Sequence, residues 1–195
     1  MRKTEKTPKP TPEAAGKSSF NLIDEKRFLN FIDTDSVSSF IDLGCGAGNY
    51  TIKIAEMLGK SRIWAVDLWK EGIELLKKRS EELNIKNVNA IVADIRKRLP
   101  FEDESFDASL IATVIHHFNK SKRIEILKEV ARITKTGGML YIVEFKKITE
   151  GPGPAFDIRI DERELGNTVQ SCGFKTISFG DIGQFNYTMK FRKIV

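Results

Sequence analysis

The segment IDLGCGAGN at residues 41–49 constrains this chain more than any other. An apolar run ends directly in Gly44, Gly46 and Gly48, and a stretch with Ile52, Ala55 and Leu58 on one face follows at once. The change of period predicts a strand over residues 37–43, then a helix stopped by Gly59. Glycines at such a junction allow tight turning and let a ligand touch main chain that a Cβ would screen.

The same alternation recurs along the chain. A leading amphipathic helix carries Leu22, Ile23, Phe28, Leu29 and Ile32. Residues 62–67 (RIWAVD) read as a strand and 71–83 as a helix with Ile73, Leu76 and Leu83 on one side. Strands follow at 88–92 and 106–111. Ser121 is placed to cap a helix with the stripe Ile124, Leu127, Ala131 and Thr134, ended by Gly137 and Gly138. The strand at 139–145 is apolar through most of its length, as a strand covered on both faces should be. Past the loop GPGPAFDIRI at 151–160, Asp161 and Glu164 resemble a capping box for a helix with Leu165, Val169 and Cys172, stopped by Gly173. Strands at 175–179 and 185–193 are joined by GDIGQ, too short for a crossover, so the last strand should run antiparallel. The fold class is α/β, a doubly wound and mostly parallel sheet with one reversed strand.

A chain of 195 residues is about one domain. Its net charge of +5 is unevenly spread, with +3 on residues 1–19 and +2 on the remainder. Residues 1–17 hold three of the six prolines and almost nothing apolar, so they read as a disordered basic tail before a domain at 18–195. The near-balanced body argues against a nucleic-acid-binding face. No apolar run approaches the roughly 18 residues of a membrane span, and no apolar stretch follows the charged N-terminus as a signal peptide requires. Two cysteines build neither a disulfide framework nor a four-cysteine metal site. The expectation is a cytoplasmic protein without a metal.

In such a sheet, ligands bind beyond the carboxyl ends of the strands where strand order reverses. Three segments meet there: the glycine loop, Asp67 at the end of the second strand, and Asp94 after the third. Asp67 lies 19 residues past Gly48, one helix and one strand on, where a carboxylate can accept both hydroxyls of a ribose. Singly, Asp67 also reads as a helix-side cap and Asp94 as a turn former. A dinucleotide fingerprint needs glycine where Asn49 or Thr51 stands, and no Lys-Ser/Thr pair follows to cradle a triphosphate. The loop suits a nucleoside without phosphate.

The series IDLGCGAG, AVD, VAD…LPFEDESFDASLIATVIHHF and GGMLYIVEF resembles the small class I S-adenosylmethionine-dependent methyltransferases, closest to the compact "type 11" group related to quinone-biosynthesis enzymes. The resemblance implies a Rossmann-like, seven-stranded sheet with its last strand antiparallel. It implies that Gly44, Gly46 and Gly48 lie under the methionine and ribose portion of S-adenosylmethionine, with Asp42 near its ammonium group. It further implies that Asp67 holds the ribose hydroxyls, Leu68 packs on adenine, Asp94 accepts from the adenine amino group, and the Ile95 N–H reaches the ring.

Methyl transfer from a sulfonium is an in-line displacement, so the protein mainly supplies alignment, and a base only when the acceptor must lose a proton. The catalytic candidates are His117, at a place where the family often carries histidine, and Glu144 at the end of the fifth strand. Each has a structural alternative, a histidine bonding nearby backbone and a capping carboxylate. Ala112-Thr113 lacks the Asn/Asp-Pro-Pro-aromatic motif of enzymes that methylate exocyclic base nitrogens. Cys45 and Cys172 read as packing residues. Ser19 and Phe20 from one flanking segment, and Phe156 and Ile158 from the other, are expected to line the acceptor pocket. The expected function is methylation of a small-molecule acceptor. Alternatives are RNA or protein methylation assisted by the basic tail, and a catalytically silent cofactor-binding partner subunit. The sequence leaves monomer and homodimer open.

Overall fold

The computed structural model describes residues 15–194. Seven strands form one sheet in the order β3-β2-β1-β4-β5-β7-β6. They are β1 (Ser39–Leu43), β2 (Arg62–Asp67), β3 (Val88–Val92), β4 (Phe106–Ala112), β5 (Thr134–Phe145), β6 (Phe174–Asp181) and β7 (Asn186–Lys193). The first five pair in parallel, and β7 lies antiparallel to both β5 and β6. The expected doubly wound sheet with a reversed last strand is therefore present. The chain steps outward from β1 to β3 and returns to place β4 on the other side of β1. That reversal opens a crevice above the β1/β4 boundary.

Helices α1 (Glu25–Phe31), α2 (Asn49–Met57) and α3 (Lys70–Glu82) cover one face. Their core joins Phe28, Tyr50 and Ile54 to Phe40, Leu110, Tyr141 and Val143 of the sheet. Leu76 of α3 packs with Ile52 and Ala65. Helices α4 (Lys120–Ile133) and α5 (Glu162–Gln170) cover the other face, with Leu127, Val130, Leu165 and Val169 against Ile41, Ile111 and Ile142. Among the described residues, no helix is long and apolar enough to cross a membrane.

Several boundaries differ from the sequence reading. Asn119, not Ser121, caps α4, because its side chain accepts from the Lys122 N–H at 3.0 Å. The helix ends at Ile133, and Thr134 turns straight into β5, so Gly137 and Gly138 are not its stop. A Cβ on Gly138 would lie 2.9 Å from the Asp107 carbonyl oxygen; the glycine permits close backbone approach at the bulged start of the strand. Asp161 does cap α5, accepting from the Glu164 N–H at 2.8 Å.

Residues 1–14 of the expected tail lie outside the described residues. Residues 16–24 run over the carboxyl end of the sheet. Their contacts extend from Trp69 at one side to the β6–β7 turn, where the Asp24 N–H donates to the Ile182 carbonyl at 2.6 Å.

Candidate active site

Gly44, Gly46 and Gly48 all take positive φ, at 80°, 55° and 80°. Two of the three are forced by packing as well as by dihedral. A Cβ on Gly44 would meet Val114 at 2.5 Å, and one on Gly48 would meet Leu76 at 2.2 Å. Gly46 differs: nothing among the described residues lies within 4 Å of its would-be Cβ, so its bare face opens onto the crevice. Arg79 of α3 fixes the loop from behind, donating to the Ala47 carbonyl at 2.6 Å and to Asn49 Oδ1 at 2.8 Å.

Asp67 at the end of β2 reaches this loop. Its Oδ2 accepts from the Gly46 N–H at 2.7 Å and its Oδ1 from the Trp69 N–H at 2.7 Å. One half-buried carboxylate thus joins the ends of β1 and β2, next to two residues of the cavity wall, Gly46 and Trp69, without itself lining the cavity. Asp42 lies beneath the loop, fully buried, with Thr51 donating to it at 2.6 Å. Burial pushes its carboxyl up to about 7, the Thr51 hydrogen bond opposing and the negative Asp67 reinforcing the rise. Asp94 follows β3 and is gripped by the Arg96 guanidinium at 2.8 Å through both oxygens, which holds its carboxyl below the usual range.

The crevice is a small cavity of about 70 Å³. The loop from Gly44 to Ala47, Asn49, Tyr50, Trp69, Ala112 and Thr113 form its walls, and Gly16, Lys17 and Ser18 close it. Sequence reasoning singled out neither Trp69 nor Tyr50. Leu68, expected against adenine, is 42% exposed and does not line this cavity. Ser19 is buried and bonds Tyr50 Oη at 2.8 Å and Thr113 Oγ1 at 3.0 Å. Phe20 packs edge-on against Tyr50 at 4.9 Å. Thr113 holds φ at 53°, a conformation rarely adopted by a β-branched residue.

A second cluster sits at the ends of β4 and β5. Glu144 is fully buried and accepts from His116 Nδ1 at 2.7 Å, from the His116 N–H at 3.3 Å and from the Phe145 N–H at 3.2 Å. His116, which sequence reasoning does not select over its neighbour, is the buried member of the pair. His117 is exposed, its ring 4.2 Å from that of His116. Phe156 and Ile158 are 46% and 38% exposed, on a short turn that the buried Arg159 anchors through the carbonyls of Pro152 and Pro154. They do not line the cavity.

With this geometry in view, the family described as "Methyltransferase domain" matches residues 40–138, from β1 to the start of β5. The chain belongs to the methyltransferase domain family. A demethylmenaquinone methyltransferase of Bacillus cereus is 28% identical over 125 residues, which are 64% of this chain and 52% of that protein. A probable tRNA methyltransferase 9B of Homo sapiens is 37% identical over 120 residues, 60% of this chain and 23% of that protein. The chain thus spans about half of the first relative and under a quarter of the second. The crystal structure of a SAM dependent methyltransferase from Aquifex aeolicus superposes with a TM-score of 0.80 at 24% identity, over 92% of this chain and 94% of that one. The fold is accordingly that of the S-adenosylmethionine-dependent methyltransferases.

The residues present suit that cofactor. The open face of Gly46 admits a ligand, the Asp67 carboxylate adjoins it, and the aromatic Trp69 forms a wall beside it.

Proposed function

We propose that this chain is a methyltransferase that uses S-adenosylmethionine and transfers the methyl group to a small-molecule acceptor. The observation that carries the reading is the Asp67 carboxylate on the Gly46 N–H, at the β1/β4 reversal and beside an open glycine face. S-adenosylmethionine supplies a methyl group already activated by its sulfonium. Asp67 and the glycine loop hold the ribose, with Leu68, Asp94 and Ile95 toward the adenine and Asp42 toward the ammonium group. Trp69 and residues 16–20 exclude water from the cleft. Where an acceptor must release a proton, Glu144, His116 and His117 are the titratable groups beyond β4 and β5. Phe20, Phe156 and Ile158 offer apolar surface to the acceptor.

The similarity to demethylmenaquinone methyltransferases supports an apolar small acceptor. The similarity to a probable tRNA methyltransferase supports a second reading, in which the substrate is RNA and the basic residues 1–17 assist. Incubation with methyl-labelled S-adenosylmethionine and either demethylmenaquinone or tRNA tests both. Label in the organic extract supports the first reading, and label in precipitated RNA replaces it with the second.

A further inference from the structure

The turn after β3 is pinned by its backbone and by two buried side chains. The Lys97 N–H donates to the Asp94 carbonyl at 3.0 Å, and Ile95 and Leu99 insert into the core. Just before the turn, the Ala93 N–H donates to the Asp67 carbonyl at 3.0 Å, which ties Asp94 to the strand end that carries Asp67. The Asp94 side chain accepts from the Arg96 N–H at 3.0 Å, the ordinary way in which an aspartate starts a turn.

The Arg96 side chain adds a contact that the turn does not require. Its guanidinium folds back over two residues and donates through Nε to Oδ1 and through Nη2 to Oδ2, both at 2.8 Å. An ionised carboxylate offers about four acceptor positions. Arg96 engages both positions on Oδ1 and one on Oδ2. The Asp94 side chain keeps 14% of its surface exposed, so the remaining position on Oδ2 is open to a ligand. The carboxylate around it is held by two prongs and cannot turn. Arg96 and Lys97 are the charged groups that bear on it, and both keep it ionised.

We propose that Arg96 is a positioning residue for the base of S-adenosylmethionine, its fork locking the Asp94 carboxylate so that one position on Oδ2 takes one N–H of the adenine amino group. The proposal rests on the cofactor reading, in which Asp94 lies toward the adenine. Its consequence is selectivity at the 6-position of the base. The amino group of adenine donates to Oδ2, whereas the oxo group of hypoxanthine brings a lone pair against the same oxygen. A carboxylate locked by Arg96 cannot rotate away from that clash, and a buried acceptor left without its donor is what rejects the wrong ligand.

S-adenosylhomocysteine and S-inosylhomocysteine differ at this edge of the base. Calorimetry on the full chain should show the wild type preferring S-adenosylhomocysteine. Arg96→Met leaves the backbone bonds of the turn in place and should bind S-adenosylhomocysteine about fivefold more weakly, the upper end for an exposed ion pair. Its affinity for S-inosylhomocysteine should stay unchanged, so the preference falls by the same factor. Arg96→Lys restores the charge without the two prongs and should behave like Arg96→Met. Unchanged or tighter binding of S-adenosylhomocysteine by Arg96→Met overturns the proposal. An equal loss for both ligands, as a loosened turn would give, also overturns it, and so does full preference in Arg96→Lys. A wild type that binds both ligands equally overturns it with the cofactor reading intact. If the wild type binds neither ligand, the cofactor reading itself fails, an outcome distinct from the others.

Discussion

The Asp67 carboxylate accepts from the Gly46 N–H at 2.7 Å, so the end of β2 is bonded to the middle of the glycine loop that ends β1. The same carboxylate takes the Trp69 N–H through its other oxygen. One side chain therefore shapes the loop and presents acceptor lone pairs at its edge. Asp67→Ala should weaken S-adenosylhomocysteine binding at least tenfold, since a charged acceptor is lost and two N–H groups lose their partner. Calorimetry checks this, and full affinity in the variant refutes the assignment of Asp67.

The glycines differ in what they protect. Gly48→Ala puts a Cβ 2.2 Å from Leu76 at a φ of 80°, so the fold should lose about 1–3 kcal/mol on overpacking grounds. Gly46→Ala meets nothing within 4 Å and should cost about 1–2 kcal/mol, the strain of a left-handed residue. Its methyl group projects into the open crevice, so it should impair S-adenosylhomocysteine binding more than Gly48→Ala does. Urea denaturation and calorimetry on the two variants separate stability from binding.

Asp42 makes stability depend on pH. Its carboxyl is pushed up to about 7 in the fold, chiefly by burial, against 3.8 for the ordinary group. Between these values the unfolded chain has lost the proton and the folded protein keeps it, so stability from this group falls as pH rises through the interval. Below about 4 the contribution is fully present, and above about 7 it is gone. Asp42→Asn removes the dependence while keeping the shape. The wild type should lose stability relative to this variant between pH 4 and 8, by a few kcal/mol in all, because each pH step inside the interval is worth at most about 1.4 kcal/mol. Denaturant titrations of both proteins across that range measure the difference.

The His116–Glu144 pair is wholly buried. His116→Ala leaves Glu144 with backbone N–H partners only and should destabilise by about 1–3 kcal/mol, the cost of a buried acceptor that loses its partner. Glu144→Gln keeps the shape and an acceptor oxygen, and should cost less. Urea midpoints give the order, and a larger loss in Glu144→Gln would count against this account of the pair.

The alternation of periods made the sheet, the order of its elements and the reversal of the last strand legible from the residues alone. Asp67 was legible because its distance from Gly48 is one helix and one strand. The docking of residues 16–24 was not, because Ser19 meets Tyr50 and Thr113 across 31 and 94 residues, and no local pattern encodes such contacts. The same holds for His116 and Glu144, 28 residues apart on the ends of neighbouring elements. Local rules misplaced the cap of α4, where Asn119 and Ser121 both offer a capping side chain and packing selects the earlier one. Trp69 was not legible because its backbone lies outside β2, while its ring turns back toward Gly16 and the crevice.

The central claim is that the crevice over Gly46 binds S-adenosylmethionine. Titration of the full chain with S-adenosylhomocysteine and, separately, with NADH tests it most directly. Saturable one-to-one binding of S-adenosylhomocysteine is expected, lost in Asp67→Ala, with no heat of binding from NADH. Binding of NADH with none of S-adenosylhomocysteine would contradict the claim.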